Sequence, residues 1–358
     1  MIKISIGGVK MKKVTMQDIA NILNVSRVTV WKVLNNQPGV SKPLRDQIIM
    51  TAKDTGYLKP GQEAEAYLTE NGDPHSEKQP KKTISVVISR PESSLFWINI
   101  IHSLAKVLDT QGINMMYTYL PASYQEGYVL PSVLTNGTSK GMVILNVYDI
   151  HLLTMLNNLS IPKVFLDLVT DFPTETITGD VFLLAGQRKI EEITNSIIRK
   201  GRTEIGFIGD ISYALTNKER FEGFKLALEK NNIKMQEKYC LTRKIGIYSY
   251  YEEISSFLDN LDKMPQAFVC ASDFIANFMM QYFVEHNYKV PEDIALSGFD
   301  GSTEYSMVTG KLTTVNVPTH HLGIRLANQL LYRIEHPNAP LELTHIYSDI
   351  IWGKSTDF

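Results

Sequence analysis

The side chains able to do covalent or redox chemistry are few in this chain, and none sits in a working arrangement. Cys240 and Cys270 are far apart, with no CxxC pair and no histidine cluster beside them, which supports neither a disulfide framework nor a structural zinc site. His320-His321 has no partnered cysteine and no second spaced histidine. Gly353-Lys354-Ser355-Thr356 imitates the end of a phosphate-binding loop, but Ser348 stands where that loop's first glycine belongs, and too little chain follows to form its helix. No GxGxxG follows the first apolar run and no GxSxG occurs. The expectation is a protein without catalytic machinery, cofactor or metal.

What remains is chemistry of recognition, and charge shows where it lies. The formal net charge is only −2, yet residues 11–60 hold eight basic side chains (Lys12, Lys13, Arg27, Lys32, Lys42, Arg45, Lys53, Lys59) against Asp18, Asp46 and Asp54. Residues 61–80 reverse the balance, with Glu63, Glu65, Glu70, Asp73 and Glu77 against Lys78 among Gly, Pro, Asn and Ser. Such a composition buries little and reads as a linker.

Three short helices must position the basic groups. Thr15 with Asp18 fits a helix cap with an acidic third residue, and residues 16–23 place Ile19, Ala20, Ile22 and Leu23 on one face. Asn24 tolerates the left-handed conformation of a tight turn, Val25 plugs the interface, and Ser26 caps a second helix running to about Asn35. In that helix Val30, Val33 and Leu34 share the buried face, so Arg27, Val28, Trp31 and Lys32 point outward, as a major-groove reader requires. A third helix starts at the Ser41 cap, tolerates Pro43 in its first turn and ends at Gly56.

From residue 83 the texture changes. Apolar runs at 84–88, 141–145, 163–166, 205–208, 267–270 and 294–297 alternate with helix-length amphipathic stretches such as 98–110 and 185–200. That alternation predicts parallel α/β structure, and its length favours two smaller doubly wound sheets over one large one. With 358 residues, 44% hydrophobic and 21% charged, two or three folded domains are expected. No run reaches the length of a membrane span and no secretory signal opens the chain, so a cytoplasmic protein is expected.

The order of several motifs resembles the lactose-repressor (LacI) family of bacterial transcription regulators. The head matches at Val14-Thr15-x-x-Asp18-Ile19-Ala20, Val25-Ser26-x-x-Thr29-Val30 and Val33-Leu34-Asn35, then at Val40-Ser41, Arg45 and Gly56-Tyr57. The core matches at Ala271-Ser272-Asp273-Phe274-Ile275-Ala276, Val290-Pro291-Glu292-Asp293-Ile294 and Gly298-Phe299-Asp300. Leu312-Thr313-Thr314-Val315, Pro318, Gly323, Ala327 and Leu330-Leu331 continue the match. The resemblance covers nearly the whole chain after Lys10, and residues 1–10 are expected to be an upstream extension.

The implied fold is a small all-α helix-turn-helix head, residues 11–60, an acidic linker or hinge, residues 61–82, and an α/β two-lobed periplasmic-binding-protein-like core, residues 83–358. The first lobe is expected at about 83–180 and 318–337, the second at about 181–311 and 338–358. Implied base readers are Arg27, Val28 and Lys32, with Arg suited to guanine and Val to a thymine methyl. Lys32 stands where the family usually has Arg, so a point charge replaces a planar fork. Thr15, Ser26, Thr29 and Asn35 are the implied phosphate contacts. A minor-groove hinge would use Ala64, Tyr67 and Leu68, but Glu63 and Glu65 would oppose its insertion.

The ligand pocket of such a core lies where strand C-termini of both lobes converge. Phe96 and Trp97 follow the first strand and offer a platform for a sugar ring; Asp167 and Asp300 end strands and offer carboxylates to hydroxyls. The resemblance adds Arg220, in Arg-x-x-Gly, as an effector-binding arginine. Thr216, Tyr248, Ser272, Asp273 and Thr319 complete the expected site, Ser272 departing from the Asn often found there. The implied function is a dimeric DNA-binding regulator, a repressor of carbohydrate-utilisation genes controlled by a small sugar-like effector. The alternative is a sugar-sensing binding protein with weak or partner-dependent DNA binding.

Overall fold

The computed structural model describes residues 14–35, 37, 39–58, 82–89, 94–246 and 248–358. The chain divides into two compact units, Met1–Pro80 and Lys81–Phe358. The expected hinge residues Ala64, Tyr67 and Leu68 lie outside the described residues, as do residues 1–10.

In the head, α1 (Met16–Ile22), α2 (Arg27–Leu34) and α3 (Lys42–Asp54) close on Ile19, Ala20, Val30, Val33, Ile48, Ile49 and Ala52. The caps of α1 and α2 follow the sequence, whereas Ser41 precedes α3 without a side-chain cap bond. Thr15 and Asp18 form a capping box on α1, Asn24 turns the chain at φ 54, and the Ser26 Oγ accepts the Thr29 N–H at 3.0 Å. Gly56, at φ 70, ends the third helix's turn. Leu34 is half-buried against this core.

The second unit holds two parallel sheets. Its strands and helices, in chain order, are β1 (Thr83–Ile88), α4 (Leu95–Thr110), β2 (Asn114–Tyr119), α5 (Ser132–Thr135), β3 (Ser139–Leu145), α6 (Ile150–Asn157), β4 (Lys163–Leu166) and β5 (Asp180–Leu184). There follow α7 (Gln187–Arg199), β6 (Ile205–Ile208), α8 (Leu215–Lys230), β7 (Cys240–Leu241), α9 (Tyr250–Asp259), β8 (Ala267–Cys270), α10 (Asp273–Glu285) and β9 (Ala295–Ser297). Last come β10 (Thr314–Asn316), α11 (Thr319–Glu335), β11 (Leu343–Ile346) and β12 (Asp349–Ile351).

The first sheet has six strands in the order β11-β5-β4-β3-β1-β2, and the second has four in the order β7-β6-β8-β9; β10 and β12 form a separate antiparallel pair. Each parallel sheet reverses its winding once, beside β1 and β3 in the first and β6 and β8 in the second, and those reversals open crevices at the strand C-termini. Burial on both faces explains the unbroken apolar runs. In β1 to β5, Ile84, Val86, Val143, Val164 and Phe182 belong to one hydrophobic cluster, while Val87, Met142, Ile144, Phe165 and Val181 belong to another. Helix α11 crosses α4 so closely that a Cβ at Gly323 would lie 2.2 Å from the Ile100 carbonyl oxygen.

The lobe boundaries fall later than the sequence suggests. Residues 181–184 and 343–346 belong to the first sheet, not to the second lobe, so the chain changes sheets after β5 and again after β11. The cause is a buried ion pair that fixes both strands. Asp180 accepts from Arg333 Nη2 at 2.6 Å and Nε at 3.0 Å, from Gln329 Nε2 at 3.0 Å and from the Glu342 N–H at 2.9 Å. Among the described residues no helix is long and apolar enough to cross a membrane.

Candidate functional site

The first turn of α2 carries the outward-facing groups of the head. Arg27 and Val28 are exposed, as is Trp31, while Lys32, one turn on, is half-buried. The four candidate phosphate ligands are already engaged locally. Thr15 donates to Asp18 Oδ2 at 2.6 Å, Ser26 and Thr29 hydroxyls lie 2.8 Å apart, and Asn35 Nδ2 donates to the Trp31 carbonyl at 3.0 Å. These bonds hold the helix ends in shape and leave each group exposed or half-exposed, with hydrogen-bonding capacity to spare.

In the core, a cleft of about 330 Å³ lies between the C-terminal ends of the two sheets. Three residues that follow strands enter it with positive φ: Asn146 at 54°, Asp167 at 66° and Asp300 at 121°. A non-glycine residue held there costs on the order of 1–3 kcal/mol and persists only where its surroundings fix it. At Asp300 the fixing bonds are its own N–H to the Val315 carbonyl at 2.9 Å and the Val317 N–H to its carbonyl at 3.2 Å.

Asp167 joins the lobes. Its carboxylate accepts from Thr216 Oγ1 at 2.6 Å, Tyr148 Oη at 3.1 Å, the Leu168 N–H at 2.8 Å and the Thr216 N–H at 3.2 Å. Burial raises its pKa, and these donors, with Arg220, work against that rise. A strand-like contact between Val169 and Ala214 continues the junction.

Arg220 is the central cation. Its Nη1 donates to the Ala271 carbonyl at 2.6 Å, its guanidinium lies 3.7 Å from the centroid of the Phe299 ring, and its Nη2 stands 4.0 Å from Asp300 Oδ1. The Nε is buried with no hydrogen-bond partner among the described residues. Gly186 makes room for this side chain, since a Cβ there would lie 2.7 Å from Arg220 Cγ. Burial pushes the Asp300 carboxyl up to about 8; Arg220 opposes the shift and Asp273 adds to it. An arginine beside a carboxyl, neither saturated, can serve paired hydroxyls as donor and acceptor at once.

Eight of the ten expected effector residues line the cleft: Phe96, Trp97, Asp167, Thr216, Arg220, Tyr248, Ser272 and Asp300. Two do not. Asp273 turns inward at the first position of α10, accepting from Thr314 Oγ1 at 2.6 Å and the Ser302 N–H at 2.7 Å, so it positions the loop after Asp300. Thr319 opens α11, and its N–H is bonded to the Val317 carbonyl at 2.8 Å.

The sequence reading missed Ser94, Asn146, Tyr148, Tyr213, Asn217, Tyr250, Phe274, Ser302, Glu304 and Tyr305. Asn146 could have been found, because it ends β3 as Asp167 ends β4; the aromatic residues carry no such positional mark. They pair edge to face, Phe96 with Trp97 at 5.1 Å, Tyr148 with Tyr213 at 4.9 Å and Tyr250 with Phe274 at 5.1 Å. Rings in such number suit the apolar faces of sugar rings.

The phosphate-loop imitation at the C-terminus proves to be a staple. Ser355 is buried, donates to the Leu296 carbonyl at 2.6 Å and accepts the Thr313 N–H at 2.8 Å, while Thr356 and Thr313 hydroxyls meet at 2.6 Å. Among the described residues no group of three or more His, Cys, Asp or Glu side chains is placed to hold a metal ion.

Fold and sites together define a protein with a helix-turn-helix head and a two-lobed α/β core closed around a ligand cleft. Residues 15–59 match the bacterial regulatory proteins of the lacI family, and residues 194–356 match the periplasmic binding protein-like domain. The chain thus carries a helix-turn-helix domain similar to those of the lacI family and a periplasmic-binding-protein-like domain. It is 26% identical over 340 residues to the HTH-type transcriptional regulator RegA of Clostridium saccharobutylicum, covering 92% of this chain and 96% of that one. To the HTH-type transcriptional regulator CelR of Thermobifida fusca it is 25% identical over 334 residues, covering 90% and 92%. Among solved structures, a lac repressor dimer bound to operator and the anti-inducer ONPF superimposes with a TM-score of 0.66 at 18% identity, over 96% of this chain and 99% of that one. A CelR–cellobiose complex does so with a TM-score of 0.65 at 19% identity, over 95% and 99%.

Proposed function

We propose that this protein is a transcriptional repressor that binds an operator through its helix-turn-helix head and answers to a carbohydrate bound between the lobes of its core. The observation that carries the reading is the Arg220–Asp300 couple, held unsaturated by Gly186, Phe299 and Ala271 inside a cleft walled by eight aromatic side chains. Relatives described as HTH-type transcriptional repressors, PurR and the probable repressor ExuR, align over 90–95% of the chain. The CelR neighbour is bound to cellobiose and another neighbour to ribose.

In this reading Arg27, Val28 and Lys32 meet base edges, and Thr15, Ser26, Thr29 and Asn35 meet phosphates. The protein acts as a homodimer on a near-palindromic operator whose half-sites lie about one helical turn apart. It regulates rather than catalyses. The test is to incubate the full-length protein with sheared genomic DNA of its source in 0.1 M salt and sequence what it retains. An enriched near-palindrome beside sugar-transport or glycosidase genes is the expected result. Retention no better than bulk DNA would replace this reading by that of a sugar-sensing protein whose DNA binding needs a partner.

A further inference from the structure

Resting on the reading of the cleft as an effector site, we propose that Glu304 makes this protein select uncharged sugars and reject anionic ones. Helix α4 runs for 16 residues and its N-terminus borders the cleft at Ser94, Phe96 and Trp97. The first-turn N–H groups of a helix lack internal partners and favour negative charge, and Ser94 supplies no side-chain cap. A phosphate or carboxylate on a ligand would find its natural seat there.

That seat is taken by the protein itself. Glu304, from the second lobe, accepts the Leu95 N–H at 2.9 Å. Its loop is held in place by the Ser302 N–H on Asp273 at 2.7 Å, the Gly301 N–H on Thr314 Oγ1 at 3.2 Å and the Glu304 N–H on Ser302 Oγ at 3.2 Å. The cleft's other anchor for an anion is Arg220, and its guanidinium is already engaged. One nitrogen donates to the Ala271 carbonyl, another faces Asp300 and the plane stacks on Phe299. Among the described residues lining the cleft, Asp167, Asp300 and Glu304 stand against Arg220 alone. Among the described lining residues an anionic ligand would therefore find no cation but the engaged Arg220 and would lie beside three carboxyl groups, whereas hydroxyls find acceptors. Selectivity here is built from a repulsive element as well as an attractive one.

The test uses the full-length protein and matched sugars: glucose with glucuronate and glucose 6-phosphate, galactose with galacturonate, and cellobiose with cellobiose 6′-phosphate, titrated by calorimetry. For any pair whose neutral member binds, the anionic member should bind at least about tenfold more weakly, a difference of about 1.4 kcal/mol. Glu304→Gln, which keeps an acceptor for the Leu95 N–H, and Glu304→Ala, which vacates the helix end, should both shrink that ratio. An anionic sugar that binds the unaltered protein as tightly as its neutral counterpart, or a ratio that neither variant moves, overturns the inference and leaves the carbohydrate reading standing. Failure of every sugar of either charge to bind overturns the carbohydrate reading and this inference with it.

Discussion

Asp300 is where residue chemistry becomes measurable. Its carboxyl is pushed up to about 8 by burial, so below that pH the ligand-free cleft holds it protonated. Sugar hydroxyls donating to it stabilise the ionised form, so binding releases a proton, and effector affinity should rise with pH and level off above about 8. Calorimetric titration in buffers of different ionisation heat reads that proton directly; Asp300→Asn should abolish both the release and the slope. A pH-independent affinity in the unaltered protein would show that the ligand does not engage this group. Asp300 and Asp167 were legible in the sequence because a carboxylate just past the C-terminal end of a parallel strand lies at the edge where such sheets bind ligands. Asp273 was not: as the first residue of α10 it had equal access to the cleft and to the loop beneath, and Thr314 and Ser302 decide the matter from elsewhere in the chain. Tyr148, Tyr213, Tyr250 and Glu304 escaped for the same reason, since each reaches the cleft only after the lobes have paired.

The elements follow the sequence where local chemistry suffices and depart from it where long-range pairing decides. Caps at Thr15 and Ser26, the left-handed Asn24 and the apolar runs at β1, β3, β4, β6 and β8 all lie where residue types place them. Strand β2 is an edge strand, largely exposed, so it has no apolar run to announce it. The assignment of β5 and β11 to the first sheet rests on Asp180 and Arg333, which lie far apart in the chain and are both buried. Removing one partner of a buried, hydrogen-bonded pair strands the other charge and costs about 3–5 kcal/mol. Asp180→Ala should therefore lower thermal stability sharply, read by circular dichroism on the full-length protein, and loosen exchange protection in β5 and β11 before the second sheet. A Tm within a degree of the parent would deny the pair its anchoring role.

At the scale of the whole molecule, residues 59–81 join the head to the core, and in the proposed reading their charge bears on the coupling between cleft and operator. Residues 11–60 carry an excess of basic groups, while residues 61–80 carry five acidic side chains against one lysine. A segment that inserts Leu68 or Tyr67 into a minor groove would carry Glu63 and Glu65 against phosphate, where like charge repels across roughly 10 Å at 0.1 M salt. Tyr67→Ala and Leu68→Ala should accordingly leave operator affinity nearly unchanged in fluorescence anisotropy, whereas Glu63→Gln with Glu65→Gln should tighten it, the gain fading as salt rises. The two outcomes separate two kinds of allostery. If the alanine variants hold, effector and operator communicate through the spacing of the heads, and a coupling of about 1–3 kcal/mol suffices to change affinity 5- to 150-fold. If either alanine variant loses tenfold or more, the segment folds onto DNA despite its acids, and the ligand acts by permitting or forbidding that folding.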